Sequence, residues 1–234
     1  MKARFHHLQQ HTPSIKTFWF KPDKPIRFIA GQYIELYLPH DTPDSRGLRR
    51  WFTISSSPTE QLLSITTKLT SPNGSSFKQA LCRLQPGDSV EISNAMGDFV
   101  LPKLPSVPLV FVAGGIGITP FVSMFEWLVS SRQQRDIRFL YAVKKESDIV
   151  FQDLFSAASI NATIIVSEPS STWDGLRGGV DASTIIGLEK PDKDVLIYLS
   201  GPEAMTQSLQ HALVASGITP SQLVTDEFPG YSSL

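Results

Sequence analysis

Leu109-Val110-Phe111-Val112-Ala113 runs directly into Gly114-Gly115-Ile116-Gly117-Ile118-Thr119-Pro120. Consecutive apolar residues bounded by glycine read as a strand buried on both faces, as in a parallel sheet covered by helices. Glycines let the backbone adopt positive φ and approach a bulky group. Thr119 is expected to cap a helix and Pro120 to be its first residue. Such a helix start presents free N–H groups and partial positive charge, which suits a pyrophosphate. The spacing is not G-x-G-x-x-G, so the usual dinucleotide fingerprint fails as written. A glycine turn made only for tight strand–helix packing is the plainer alternative.

Downstream of this loop, strands and helices alternate. Phe121, Phe125 and Leu128 have helical spacing, followed by a strand at 137–143, a helix at 149–158 and a strand at 161–167. A strand at 194–200, a helix at 203–216 and a strand around Val224 complete five strands, which implies a parallel sheet covered on both faces. Upstream the texture differs. Short strand-like runs at 33–38, 51–54, 62–69 and 89–92 are separated by turn chemistry such as Ser71-Pro72-Asn73-Gly74 and Pro86-Gly87-Asp88. They imply an antiparallel barrel or sheet, interrupted by a short helix at 75–84 behind a serine cap. Pro102, Pro105 and Pro108 mark the join, so the expected division is a barrel over residues 1–104 and an α/β domain over 105–234.

Composition narrows the function classes. The 21 basic and 22 acidic residues balance, leaving no electrostatic footprint for nucleic acid or an anionic membrane. Cys82 is the single cysteine, which excludes an intramolecular disulfide, a multi-thiolate zinc site and a four-cysteine iron–sulfur cluster within these residues. No run approaches the roughly 18 apolar residues of a membrane span, and no apolar signal core opens the chain. The expectation is a soluble, cytoplasmic protein without bound metal.

Five segments together resemble the ferredoxin–NADP reductase superfamily. Arg50-Trp51-Phe52-Thr53, with Pro58 beyond it, is similar to the family's R-x-[Y/F]-[S/T] flavin motif. Gly114 to Pro120 matches its G-G-x-G-x-T-P nucleotide motif, and Ser200-Gly201-Pro202-Glu203-Ala204-Met205 resembles its C-G-P-x-x-M segment. Gly31-Gln32-Tyr33 and Pro86-Gly87-Asp88 resemble its G-Q-[Y/F] and P-G-D turns, and all five stand in the family's order.

The resemblance implies a flavin held by the first domain and NADH or NADPH bound by the second, with FAD commoner in the family than FMN. Arg50 would grip a flavin phosphate, Phe52 would lie against the isoalloxazine, and Thr53 would hydrogen-bond near its N5. Phe52 keeps the stacking face of the commoner tyrosine and loses its hydroxyl. Ser75 or Ser76 would bind the pyrophosphate at a helix start, with simple capping as the alternative. Gly114, Gly115, Gly117, Thr119, Pro120, Gly201 and Pro202 would hold the nicotinamide nucleotide. Ser200 stands where many relatives have cysteine beside the nicotinamide, which keeps the size and puts the transfer rate in question. Near the chain end Glu227 could relay a proton, while Phe228 or Tyr231 could cover the flavin. Trp51 is expected to be strand core, and Met205 helix core.

The implied activity is hydride transfer from NAD(P)H to the flavin, then delivery of electrons to a separate acceptor such as ferredoxin, flavodoxin or another redox partner. Two alternatives stay open: a subunit active only in a larger complex, and a non-catalytic nucleotide-binding module. Glu168, after the third parallel strand, favours NADH because a carboxylate repels the 2′-phosphate of NADPH. Arg177 could still supply positive charge there.

Overall fold

The computed structural model describes residues 1–69, 74–189 and 194–228. The amino-terminal half is a six-stranded antiparallel sheet built from β1 (Lys2–Gln10), β2 (Ile15–Pro22), β3 (Tyr33–Tyr37), β4 (Arg49–Thr53), β5 (Leu63–Lys68) and β6 (Ser89–Ile92). Its order is β4-β3-β6-β1-β2-β5. The sheet curls until β4 meets β5: Ile54 bridges Ile65, and Ser55 N–H donates to the Ser64 carbonyl at 2.8 Å. It is therefore a barrel. The first strand was hidden in the sequence because only Ala3 and Phe5 of β1 face inward, too few for a legible alternation. In β2, Phe18 and Phe20 point into the barrel. Helix α1 (Ser76–Arg83) lays Phe77 and Leu81 into that core.

The carboxyl-terminal half contains β7 (Leu109–Gly114), α2 (Thr119–Ser131), β8 (Ile137–Val143), α3 (Gln152–Ala157), β9 (Asn161–Val166) and β10 (Leu176–Arg177). It continues through α4 (Ala182–Glu189), β11 (Leu196–Pro202), α5 (Glu203–Ala215) and β12 (Leu223–Phe228). The sheet is wholly parallel in the order β10-β9-β8-β7-β11-β12, so it has six strands rather than the five expected. The extra strand is the two-residue β10, whose exposed Leu176 and Arg177 carry no apolar pattern. The helix expected at 149–158 is shorter, because a 3₁₀ turn at 146–148 and extended residues precede it.

Helices cover both faces of this sheet. Phe121, Phe125 and Phe155 from α2 and α3 pack on Phe111, Phe139 and Tyr141. On the other face Ile185, Leu209 and Leu213 from α4 and α5 meet Val110, Val112 and Leu140. The strand order turns back at β7 and β11: β8 lies on one side of β7 and β11 on the other. In open α/β sheets the crevice at the carboxyl ends of such strands is where ligands bind.

The two halves are tightly joined. Phe99 packs edge-on against Tyr198 and Phe121, and the Tyr198 hydroxyl donates to the Val100 carbonyl at 2.7 Å. Lys68 pairs with Asp148 at 2.8 Å, and Ser123 Oγ donates to the Ser56 carbonyl at 2.7 Å. Gly31 is the tightest point. Its φ is +102°, and a Cβ there would lie 2.0 Å from the Phe99 carbonyl oxygen and 2.6 Å from Met124 Cε. Gln32 braces the same turn, accepting from Ile29 N–H and donating to the Gly97 carbonyl.

Gly31→Ala combines backbone strain with overpacking at this joint and is expected to lower stability by at least about 2 kcal/mol. Denaturant unfolding would measure it, and a loss below about 0.5 kcal/mol would contradict the close approach.

Candidate active site

The two sequence-flagged clusters face the same seam between the halves. Strand β4 carries Arg50, Phe52 and Thr53, and three residues on Ser56 accepts the bond from Ser123 of α2. The glycine loop leads directly into that helix. Phe52 is 8% exposed, with its ring 5.9 Å from Phe77, and Thr53 is buried opposite Tyr33. Trp51 departs from expectation. It is 64% exposed rather than core, because it points out of the barrel while Phe52 points in.

Arg50 is the second residue of β4, and its side chain is largely buried. Its Nη1 donates to the carbonyls of Arg46, Gly47 and Arg49, and its Nη2 to Asp44 Oδ1 at 2.7 Å. The guanidinium carbon sits 5.2 Å from the Phe77 ring centroid. The Nε atom is buried and has no partner among the described residues. A second orphan lies at the start of α1: Ser75 is the N-cap residue, but its hydroxyl makes no cap bond and is buried without a partner among the described residues. Ser76 differs. Its oxygen accepts the Asp44 N–H at 2.9 Å and lies 3.0 Å from His40 Nε2. His40 Nδ1 faces the Leu38 carbonyl, which can only accept, so Nδ1 carries a hydrogen, and Nε2 is left to bond the Ser76 hydroxyl. Ser76 thus ties the 38–48 loop to α1, leaving Ser75 as the free donor. His40 and Asp44 escaped the sequence reading because a lone histidine and an aspartate in a turn have no motif.

At the second cluster a 3₁₀ turn, Gly115–Ile118, separates β7 from α2. Thr119 is therefore the first residue of α2 rather than its cap, and its N–H and hydroxyl both bond the Ile116 carbonyl. The glycines divide by role. A Cβ on Gly117 would lie 2.4 Å from the Ser200 carbonyl oxygen, and one on Gly114 would lie 2.5 Å from Met205 Cε and Sδ. Both are demanded by packing. Gly115 has φ +54°, and a Cβ on it would meet nothing within 4 Å. Its open side is where another molecule can come close.

Ser200 is fully buried, and its hydroxyl has no partner among the described residues. Met205, set aside in the sequence reading, packs on both Gly114 and Gly201 and so shapes the loop. Strand β12 places Glu227 beside Gly201 and Phe228 beside Pro202 by register. The side-chain roles expected of Glu227 and Phe228, and the whole of Tyr231, lie outside the described residues. Beyond β9, Glu168 is paired with Lys144 at 3.2 Å, and Arg177 donates to the carbonyls of Ser170 and Trp173. A cavity of about 400 Å³ lies elsewhere, between β2, β5 and the 149–154 segment, and none of the residues singled out in the sequence lines it.

Residues 111–211 match the family model described as the oxidoreductase NAD-binding domain. Over 94% of its length the chain is 28% identical to flavohemoprotein A of Dictyostelium discoideum and 29% identical to a glycine betaine monooxygenase reductase subunit of Chromohalobacter salexigens. It spans 58% and 61% of those relatives. A ferredoxin NADP+ reductase from Neisseria gonorrhoeae shares the fold, with a TM-score of 0.81, 19% identity and coverage of 97% of this chain and 98% of that one. The chain thus shares with that reductase a two-part fold, an antiparallel barrel followed by a parallel α/β half.

Two serines one residue apart should respond oppositely. Ser76→Ala removes the tie to His40 and Asp44 and is expected to cost about 1–2 kcal/mol of stability. Ser75→Ala removes only an unsatisfied hydroxyl and should leave stability within about 0.5 kcal/mol of wild type or raise it. Parallel urea titrations of the two variants check the difference.

Proposed function

We propose that the protein is an FAD-dependent NAD(P)H oxidoreductase that delivers electrons to a separate redox partner. Residues 1–104 hold the flavin and residues 105–234 the nicotinamide nucleotide. The observation carrying this reading is the pair of buried, unpartnered donors, Arg50 Nε and Ser75 Oγ, beside the start of α1. Free N–H groups and a guanidinium at a helix start are what a pyrophosphate needs. When bound, the flavin supplies hydride acceptance and onward electron release, which no side chain of this chain can perform.

The chain's own residues bind and orient. Phe52 packs its ring on Phe77 inside the barrel, and Thr53 brings a hydroxyl next to it at the seam. The open side of Gly115 and the carboxyl ends of β7 and β11 receive the nucleotide. Ser200, walled in by the glycine loop, is small enough to leave the crevice unfilled where a larger side chain would enter it. The fit at Arg50 is incomplete, because Asp44 and three carbonyls already engage its Nη atoms.

Purified protein should be yellow and should bleach when NADH is added without air. A colourless protein that takes up no flavin would favour the nucleotide-binding module instead. Arg50→Ala should lower flavin content after gel filtration, since charge-assisted contacts of this kind are worth about 1.5–3 kcal/mol.

We assign NADH as the preferred donor. Glu168 places a carboxylate beyond β9, and the Arg177 fork is occupied by loop carbonyls rather than free for a 2′-phosphate. Glu168→Arg should shift kcat/KM toward NADPH by about tenfold or more, the scale of one charge contact. A wild-type kcat/KM higher for NADPH than for NADH would overturn the assignment.

A further inference from the structure

Asp44 occupies the position on Arg50 that an incoming anion would need. Its Oδ1 takes Arg50 Nη2 at 2.7 Å, and the two side chains are only 26% and 16% exposed. The same carboxylate is held from a second side. Oδ1 also accepts the Arg46 N–H at 3.0 Å, and Oδ2 takes Arg46 Nη2 at 3.2 Å. The backbone around it is fixed as well, with Asp44 N–H on Ser76 Oγ and the Asp44 carbonyl accepting the Gly47 N–H at 2.8 Å. One carboxylate therefore bridges two guanidiniums. One of these, Arg46, points to the exposed surface, while the other lies beside the buried Ser75 hydroxyl's helix.

Resting on the flavin reading above, we propose that Asp44 is an internal stand-in for the cofactor's phosphate. It neutralises Arg50 until the pyrophosphate arrives, then yields Nη2 while keeping Arg46. Two features favour exchange over a fixed prop. The Nε of Arg50 is a buried donor that Asp44 leaves unpaired, so a phosphate that reaches the guanidinium can satisfy a group the carboxylate does not. Arg46 then keeps the displaced carboxylate paired, so no charge is stranded in a half-buried site. Asp44 remains ionised for this role. Burial alone would raise its pKa, but the Arg46 amide and side chain and the Arg50 charge hold it well below the usual carboxylate range.

The exchange makes opposite demands on neighbouring residues. Asp44→Asn removes the competing charge and keeps the shape, so flavin-stripped protein should bind FAD about tenfold more tightly. Arg46→Ala leaves Asp44 with Arg50 as its only guanidinium partner in this cluster and should weaken FAD binding several-fold. In an Asp44→Asn background, Arg46→Ala should have no effect. Quenching of flavin fluorescence during titration of the apoprotein gives these affinities. Riboflavin, which has no phosphate, should bind all four proteins alike. Weaker or unchanged FAD binding in Asp44→Asn would overturn the exchange and make Asp44 a positioning residue for Arg50. A riboflavin shift equal to the FAD shift would overturn it too. Failure of the flavin reading would look different, with wild-type and Arg50→Ala apoproteins both leaving FAD fluorescence unquenched.

Discussion

The close approach of two backbones at the carboxyl ends of β7 and β11 governs the rest of the carboxyl-terminal half. The site that a Cβ on Gly117 would occupy is filled by the Ser200 carbonyl and the Gly201 backbone. Gly114 gives up the same space to Met205. The loop after β7 can then fold flat against β11 and pass through a single 3₁₀ turn into α2. That places the start of α2 at the seam with the barrel, where Ser123 meets Ser56. A side chain at Gly117 would push the loop off β11 and carry the whole helix with it.

The amino-terminal half solves a different problem. Its barrel closes through only a short contact between β4 and β5, so among the described residues Arg49 to Phe52 has β3 on one side and no ladder partner on the other. The turn before β4 compensates by gathering its carbonyls onto Arg50, and α1 covers the adjacent core with Phe77. Ser76 and His40 then bind that turn to the helix. Rigidity at this corner comes from side-chain hydrogen bonds rather than from strand pairing.

Much of this was legible in the sequence, and the failures have physical causes. The apolar run before Gly114 gave β7 correctly because a doubly covered strand has no polar alternation to obscure it. Strand β1 was missed because most of its residues face water, and β10 because pairing alone holds two exposed residues there. Trp51 was misjudged since hydrophobicity does not reveal which way a strand residue points. The glycine motif was visible, but its division into two packing glycines and one open glycine was not, because Met205 and Ser200 lie far away in sequence. Asp44 had no signal beyond its place in a turn, and its importance arises only when that turn folds over Arg50.

The strand order of the second sheet also bears on how the chain folds. Strand β7 pairs with β8, which follows soon after, and with β11, which begins 82 residues after β7 ends (196 − 114). Until β11 forms, one edge of the wholly apolar Leu109–Gly114 strand has no partner, and Val110 and Val112 have only part of their cover. Non-local parallel pairing of this kind is slow to form and leaves an edge prone to wrong partners. Assembly of this half is therefore held up by the arrival of the same strand that completes the crevice between β7 and β11. A partly built chain has no crevice to offer a ligand, and folding and the capacity to bind are completed together.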